Sequence, residues 1–463
     1  MASVVRSKKS CAVDPLKTSQ TIGAALAFLG IDRCLPMLHG SQGCTSFGLV
    51  LFVRHFRETI PMQTTAMSEV NAILGGEENV EKGLLTLMEK ANPDVIGLCS
   101  TALTETSGAD LGKIVRDFLQ AHPDFPAAVV PVVVPDFAGA LPDGWATAVT
   151  RMIEDLVAPA EQGGAGRELG CPAEPRARWI NLLPGSHLTP AEVEALADLA
   201  RAFGLEPIVL PDLSGSLDGH VPEAFLPHTL GGTPTAAIRD MASSVLTIAV
   251  GEHMRGPAQA LATRSGVPFE VLESATGLAA TDRLVGLLSR ISGNPVPSRL
   301  RRERARLQDA MLDAHFFTGG RRVAIGADPD LLFALASTLS DVGCEIAAAV
   351  TTTSSPVLER VPADEVVVGD LEDLEERARG CDLLVTHSHG RAASERLGVP
   401  LLRAGIPSFD RLGSPQAVWV GYAGTATLLF EVANAFLAAG EAHAPGEHCR
   451  SQGGTARAAE ISG

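Results

Sequence analysis

Short apolar runs that follow turn residues and alternate with helical stretches constrain this chain more than any other feature. Val95–Cys99 is a five-residue apolar run placed directly after Asn92-Pro93-Asp94. A run that short, opened by turn residues, reads as a strand buried on both faces. Residues 110–121 then read as a helix, and 127–134 as a second buried strand. Strand, helix, strand at this spacing is the unit of a parallel sheet, because parallel neighbours need a crossover of a dozen residues or more. Upstream, 21–29 and 79–91 read as helices, the latter with Val80, Leu84, Leu87 and Met88 on one face.

The same alternation returns twice. Strands are expected at 179–183, 207–210, 245–250 and 268–272, with a helix over 190–203. A third set covers Arg322–Ala327, 346–350, Glu365–Val368, Leu383–Thr386 and 400–403, followed by a last helix over 423–439. Residues 158–177, rich in Gly, Pro, Ala and charge, read as a linker, and the tail from Glu441 as frayed. A chain of 463 residues has room for about three domains at roughly 150 residues each. The expected fold class is therefore α/β, with three Rossmann-like domains of parallel sheet flanked by helices: 1–157, 178–297 and 298–463. The last begins with a helix over 298–316 whose start carries Arg299, Arg301, Arg302, Arg304 and Arg306. That cluster reads either as a solvated face or as a docking or interdomain strut.

Composition excludes several function classes. Lys+Arg 37 against Asp+Glu 54 gives a net charge of −17, which repels nucleic acid backbones. No uncharged apolar run approaches the roughly 20 residues that span a bilayer. No signal-peptide pattern is read at the N-terminus, and the expected location is the cytoplasm. The P-loop, the G-x-G-x-x-G fingerprint, H-E-x-x-H and G-x-S-x-G are all missing from the sequence. Open α/β sheets without such signatures place a site between domains or chains, at the carboxyl ends of strands.

Eight cysteines are present, with no C-x-x-C pair. One loop therefore cannot aim two thiolates at one metal. Either the cysteines are small core residues, or one or two reach a metal site completed elsewhere. The best placed is Cys44, in His39-Gly40-Ser41-Gln42-Gly43-Cys44, where two glycines allow a tight turn with backbone N–H groups facing a ligand. Cys99, at a strand end, and the pair His387 and His389, after another strand, are weaker metal candidates against readings as a core thiol and as polar loop caps.

Taken together with Arg54-His55-Phe56-Arg57-Glu58, Gly75-Gly76-Glu77-Glu78-Asn79, Ser100-Thr101-Ala102-Leu103-Thr104-Glu105, 302–315, Ala327-Asp328-Pro329-Asp330 and 401–410, this loop resembles the nitrogenase component 1 β-chain superfamily. The likeness runs from about Asp14 to Phe436 and implies that family's three-domain fold. The catalytic β chain supplies three cysteines to an eight-iron cluster. The first matches Cys44; the other two fall at Met62 and Leu103, which cannot bridge iron. The departures point to the branch on which the iron–molybdenum cofactor is assembled, a scaffold with no stand-alone activity. The resemblance then implies an α2β2 hetero-tetramer with an α-like partner (NifE) and one [4Fe-4S] cluster at the interface. Cys44 is the one ligand from this chain, and His39, Ser41, Gln42 and Gly43 shape its loop. It further implies electrons from the iron protein (NifH) and a transient iron–molybdenum cofactor precursor, derived from NifB and held mainly by the partner. Three alternatives stand beside it: a dark-operative protochlorophyllide reductase B-type subunit, a counterpart in the vanadium or iron-only pathway, and an α/β binding protein whose cysteines are all inert.

Overall fold

A computed structural model describes residues 1–443 apart from 10, 160–176, 222 and 224. The linker read over 158–177 therefore lies almost wholly outside the described residues, as do most of the tail after Glu441, Cys171 and Cys449. Three parallel sheets carry the described chain. The strands are β1 (Ser3–Arg6), β2 (Cys34–Leu38), β3 (Gln63–Thr64), β4 (Val95–Cys99), β5 (Ala128–Val132), β6 (Trp179–Pro184), β7 (Glu206–Val209), β8 (Leu246–Val250), β9 (Phe269–Leu272), β10 (Arg322–Ala327), β11 (Glu345–Thr351), β12 (Glu365–Val368), β13 (Leu383–Thr386) and β14 (Leu401–Arg403). Their orders are β3-β2-β4-β5, β7-β6-β8-β9 and β1-β12-β11-β10-β13-β14.

Three strands go beyond the sequence reading: β1, β2 and the two-residue β3. β1, assigned by position to the first unit, pairs in register with β12 at the edge of the third sheet, Ser3 against Glu365 through Arg6 against Val368. The first unit therefore does not include the chain's first strand, and residues 1–157 are not one body. β2 carries Pro36, and a proline argues against an inner strand because it has no N–H for the ladder. The structure tolerates it because β3 pairs only with Met37 and Leu38 on that side. On the other side Pro36 lies opposite Gly97. A Cβ at Gly97 would stand 2.4 Å from the Phe28 ring, so glycine there lets the helix Gln20–Phe28 press on the sheet.

That helix is buried at every position and crosses the helix Leu141–Leu156 in backbone contact. A Cβ at Gly23 would lie 2.0 Å from the Leu141 carbonyl oxygen, and one at Gly144 only 1.8 Å from that of Gln20. The same second helix binds the first domain to the second: Trp145 is buried and its indole N–H donates to the Pro184 carbonyl at 3.0 Å. Leu183, Ile208, Leu210, Met254 and Leu261 of the second domain share one apolar cluster with Leu26, Phe28 and Val149 of the first.

The arginine-rich helix Ser298–Thr318 and the C-terminal helix Gly421–His443 join the second and third domains. Leu300, Leu307, Tyr422 and Leu429 enter the second-domain core, while Leu428, Val432 and Phe436 enter the third. The C-terminal helix is long and apolar enough to cross a membrane by length and composition alone, and part of its apolar surface is buried in these two cores while Phe430 and Leu437 stay exposed.

A polar node closes the junction of all three domains. His253 of the second domain places Nδ1 3.0 Å from Asp330 of the third and Nε2 3.7 Å from Asp143 of the first. Burial alone lowers the His253 pKa, but the facing carboxylates of Asp330, Asp143 and Asp328 outweigh it and raise it. Burial likewise raises the Asp330 pKa, yet the hydrogen bond and charge of His253 hold it below the usual value.

Two predictions follow from this packing. Gly144→Ala should destabilise the protein by about 1–3 kcal/mol or more, since backbone must move to admit the methyl group. Gly286→Ala, in the helix Leu278–Ser292 with nothing within 4 Å, should stabilise it by about 0.5–1 kcal/mol. Thermal melts of the two variants check the opposite signs. The raised His253 pKa contributes stability that is complete below the ordinary value of 6.5 and is lost as pH rises through the folded value. His253→Gln should therefore lower the melting midpoint at pH 6.5 and flatten its decline above that pH; an unchanged pH profile would count against the node.

Candidate functional site

The loops at the carboxyl ends of β2, β3 and β4 converge on one point, as expected for an open parallel sheet. His39 extends β2, its N–H donating to the Cys99 carbonyl at 2.8 Å. Its own carbonyl accepts the Thr101 hydroxyl at 2.9 Å, with the Thr104 hydroxyl 3.2 Å away. The Thr65 hydroxyl accepts the Gly40 N–H at 3.1 Å and shares a hydrogen bond with His39 Nδ1 at 2.9 Å. Gly40 must be glycine, because a Cβ there would stand 2.5 Å from Thr101 Oγ1. The Gly40 carbonyl accepts the Met67 N–H at 2.9 Å. The backbone groups of His39 and Gly40 are thus tied to neighbouring loops.

The chain then enters the helix Gln42–Phe56 with Ser41 as its N-cap. Cys44 therefore lies in the first helical turn, rather than at the end of a free loop. Ser41 makes no capping hydrogen bond; its hydroxyl lies 3.6 Å from Cys44 Sγ instead. The N–H groups of this first turn are left without their side-chain cap, and such a helix end favours anionic ligands. Cys44 is half-buried and Gln42 and Gly43 are exposed. A Cβ at Gly43 would meet only Ser41 Oγ, at 3.8 Å, so the space in front of the turn is open.

Several apolar side chains of this helix and of the next are exposed. Phe47, Val50 and Val53 of the same helix are 66%, 56% and 44% exposed. Val70 and Ile73, on the helix Glu69–Leu74 that follows β3, are exposed as well. Met62 is buried, and its methyl would stand 2.9 Å from a Cβ at Gly48, one turn beyond Cys44 on the same helix face. Met62 also lines a cavity of about 760 Å³ that opens between Arg57, Glu58 and Gln63 on one side and Leu217 and His220 on the other. Leu103 is partly buried in the short helix Ala102–Thr106, beside Thr101.

The structure separates the other sequence candidates from this site. The His39 side chain is fully buried, with its Nε2 lacking any partner, and burial pushes its pKa down to about 4. Its part in the loop is played by its backbone and Nδ1, with the ring turned to Thr65 and Gly76. Cys99 is fully buried in the core, where burial pushes its thiol pKa well up. Cys34 is buried in the same cluster, and burial pushes the Cys344 thiol up to about 12. His387 Nε2 donates to the Leu16 carbonyl at 3.0 Å and Nδ1 accepts the His389 N–H at 3.3 Å, so neither ring nitrogen is free for a metal. Among the described residues no three His, Cys, Asp or Glu side chains group as a metal site. The task of Thr65, Thr101 and Thr104 as loop anchors carries no signal in the sequence. The sequence reading also missed the cavity of about 200 Å³ where the domains meet, walled by His55, Ser186, His187, Asp328, Arg403 and Trp419. No local pattern announces that cavity, since its walls come from three separate units.

A family model described as nitrogenase component 1 type oxidoreductase matches residues 19–437. The chain is 51% identical over 448 residues to the nitrogenase iron-molybdenum cofactor biosynthesis protein NifN of Mesorhizobium japonicum, covering 96% of this chain and 95% of that protein. To the protein of the same name from Nostoc sp. it is 45% identical, covering 96% and 97%. To that from Klebsiella pneumoniae it is 40% identical, covering 94% and 93%. A solved structure titled nitrogenase Cp1 at pH 6.5 superimposes with a TM-score of 0.87 at 30% identity, over 96% of this chain and 97% of that one. Fold, family model and relatives agree that this chain belongs to the nitrogenase component 1 type oxidoreductase family.

Proposed function

We propose that this chain is the β-like half of a cytoplasmic scaffold on which the nitrogenase iron–molybdenum cofactor is built. In this reading it pairs with an α-like partner, NifE, as an α2β2 hetero-tetramer. The two chains share a [4Fe-4S] cluster to which this chain gives Cys44 alone. The precursor, made by NifB, rests mainly on the partner, and NifH delivers electrons. The relatives' shared name supports a role in cofactor biosynthesis over the tetrapyrrole-reducing alternative.

The observation that carries the cluster assignment is the donor set. One partly exposed cysteine stands at an uncapped helix start, on a helix that also exposes Phe47 and Val50, while positions 62 and 103 hold a thioether and an aliphatic chain. Such a set cannot complete a four-iron cluster alone, but it fits one whose remaining thiolates come from another chain packed on Phe47 and Val50. When bound, the cluster would supply one-electron transfer. Thr65, Thr101 and Thr104 hold the turn so that Cys44 and the first-turn N–H groups face the same opening. Phe47, close to one turn beyond Cys44, would help exclude water from it.

The test is iron content and EPR of the dithionite-reduced complex, co-expressed with the α-like chain, for wild type and Cys44→Ala. The substitution should remove or reshape one reduced four-iron signal per αβ pair. Unchanged iron and spectra would sink the ligand assignment and return Cys44 to the inert reading.

A further inference from the structure

Ser41 holds the N-cap position of the helix Gln42–Phe56, with the extended backbone (φ −73°, ψ 157°) that suits a cap. A serine there ordinarily accepts the N–H of the second or third residue on, and the third residue on is Cys44. No such bond forms. The Ser41 hydroxyl stands 3.6 Å from Cys44 Sγ instead, within hydrogen-bond reach of a sulfur. Among the described residues no other side chain makes a hydrogen bond to that sulfur. The hydroxyl has given up its usual partner for this one.

The sense of the bond depends on the state of the sulfur. A thiol is a weak donor and a weak acceptor, so in the free chain either atom can give the proton. A metal-bound thiolate has no proton, and then only the hydroxyl can donate. A hydrogen bond to an ionised acceptor is roughly twice as strong as a neutral one. It strengthens as negative charge on the sulfur grows, so it favours the reduced state of iron that the thiolate holds. Hydrogen bonds to the sulfurs are among the levers that set such potentials. By leaving its cap, Ser41 also leaves the Cys44 N–H and the other first-turn N–H groups without a side-chain acceptor, and they stay free for an anionic ligand.

We infer that Ser41 is a positioning residue for the electron-transfer site: its hydroxyl donates to the Cys44 thiolate, holds the sulfur in place and raises the reduction potential of the cluster that Cys44 ligates. This role rests on the proposed reading of Cys44 as the one ligand from this chain.

The experiment is a redox titration followed by EPR on the complex co-expressed with the α-like chain, for wild type, Ser41→Ala, Ser41→Gly and Ser41→Thr. Cys44→Ala runs in parallel, and a thermal melt accompanies each variant. Ser41→Ala and Ser41→Gly should lower the ratio of reduced to oxidised cluster at a fixed potential by about three- to tenfold, the size of one ordinary hydrogen bond. Tenfold corresponds to about 59 mV for one electron. Ser41→Thr keeps a hydroxyl and should keep the wild-type potential. The melting midpoints of the Ala and Gly variants should stay close to wild type, because no capping bond is lost. An unshifted potential in both hydroxyl-free variants, or an equal shift in Ser41→Thr, would overturn the role. So would a lowered melting midpoint at unchanged potential, the mark of an ordinary cap. Should the hydroxyl-free variants load no iron while Ser41→Thr does, the dependence on the hydroxyl stands; loss of iron from all three would overturn it. The parallel variant separates the two readings. A Cys44→Ala complex that keeps its signal strikes the ligand assignment, and this role falls with it. Loss of that signal beside an unshifted Ser41→Ala strikes the role of Ser41 alone.

Discussion

The His39 carbonyl, held by the hydroxyls of Thr101 and Thr104, is the interaction on which the placement of Cys44 depends. It ties the end of β2 to the loop after β4, while Thr65 ties the next residue to the loop after β3. A parallel sheet brings these three loops to one edge but does not fix their heights. Short hydrogen bonds to backbone do fix them, and a carbonyl buried there without donors would be costly. The turn can be this tight only because Gly40 offers no Cβ to Thr101. Ser41, at the open end, is the one residue of the turn whose side chain is turned toward the sulfur rather than toward the protein.

Much of this was legible from residue pattern, and what was not has physical causes. Strands such as β4, β10, β12 and β13 stood out because they are short, apolar and preceded by turn residues, with helical stretches between. β2 was hidden by Pro36, whose missing donor normally bars an inner strand and is tolerated here because β3 is two residues long. β1 was hidden because its partner β12 lies more than three hundred residues away, a pairing no local signal carries. The helix Leu141–Leu156 starts with Pro142 in its first turn and an Asp143 carboxylate that accepts the Ala140 N–H, but its role as the support of Gln20–Phe28 depends on Gly23 facing Leu141 and Gly144 facing Gln20 across the fold, which no local pattern announces. Cys44 was identifiable from its glycines and the family pattern. The burial that makes Cys99 and His387 inert is a tertiary property, so sequence had to leave both open.

The substitutions at 62 and 103 explain more than a missing pair of thiolates. Met62 packs under the helix of Cys44 against Gly48, and Leu103 sits beside the threonine that anchors the turn. Apolar side chains at both places make the chain's contribution to any cluster small and its contribution to packing large. Under the proposed function, a chain that offers Cys44 alone is incomplete chemically on the same helix that exposes Phe47 and Val50. In the proposed reading one event, docking of the α-like chain, satisfies both: it brings the remaining thiolates and covers those two side chains. Burying an anionic cluster would be expensive in an apolar setting, and the free N–H groups at the start of Gln42–Phe56 are what this chain offers against that expense.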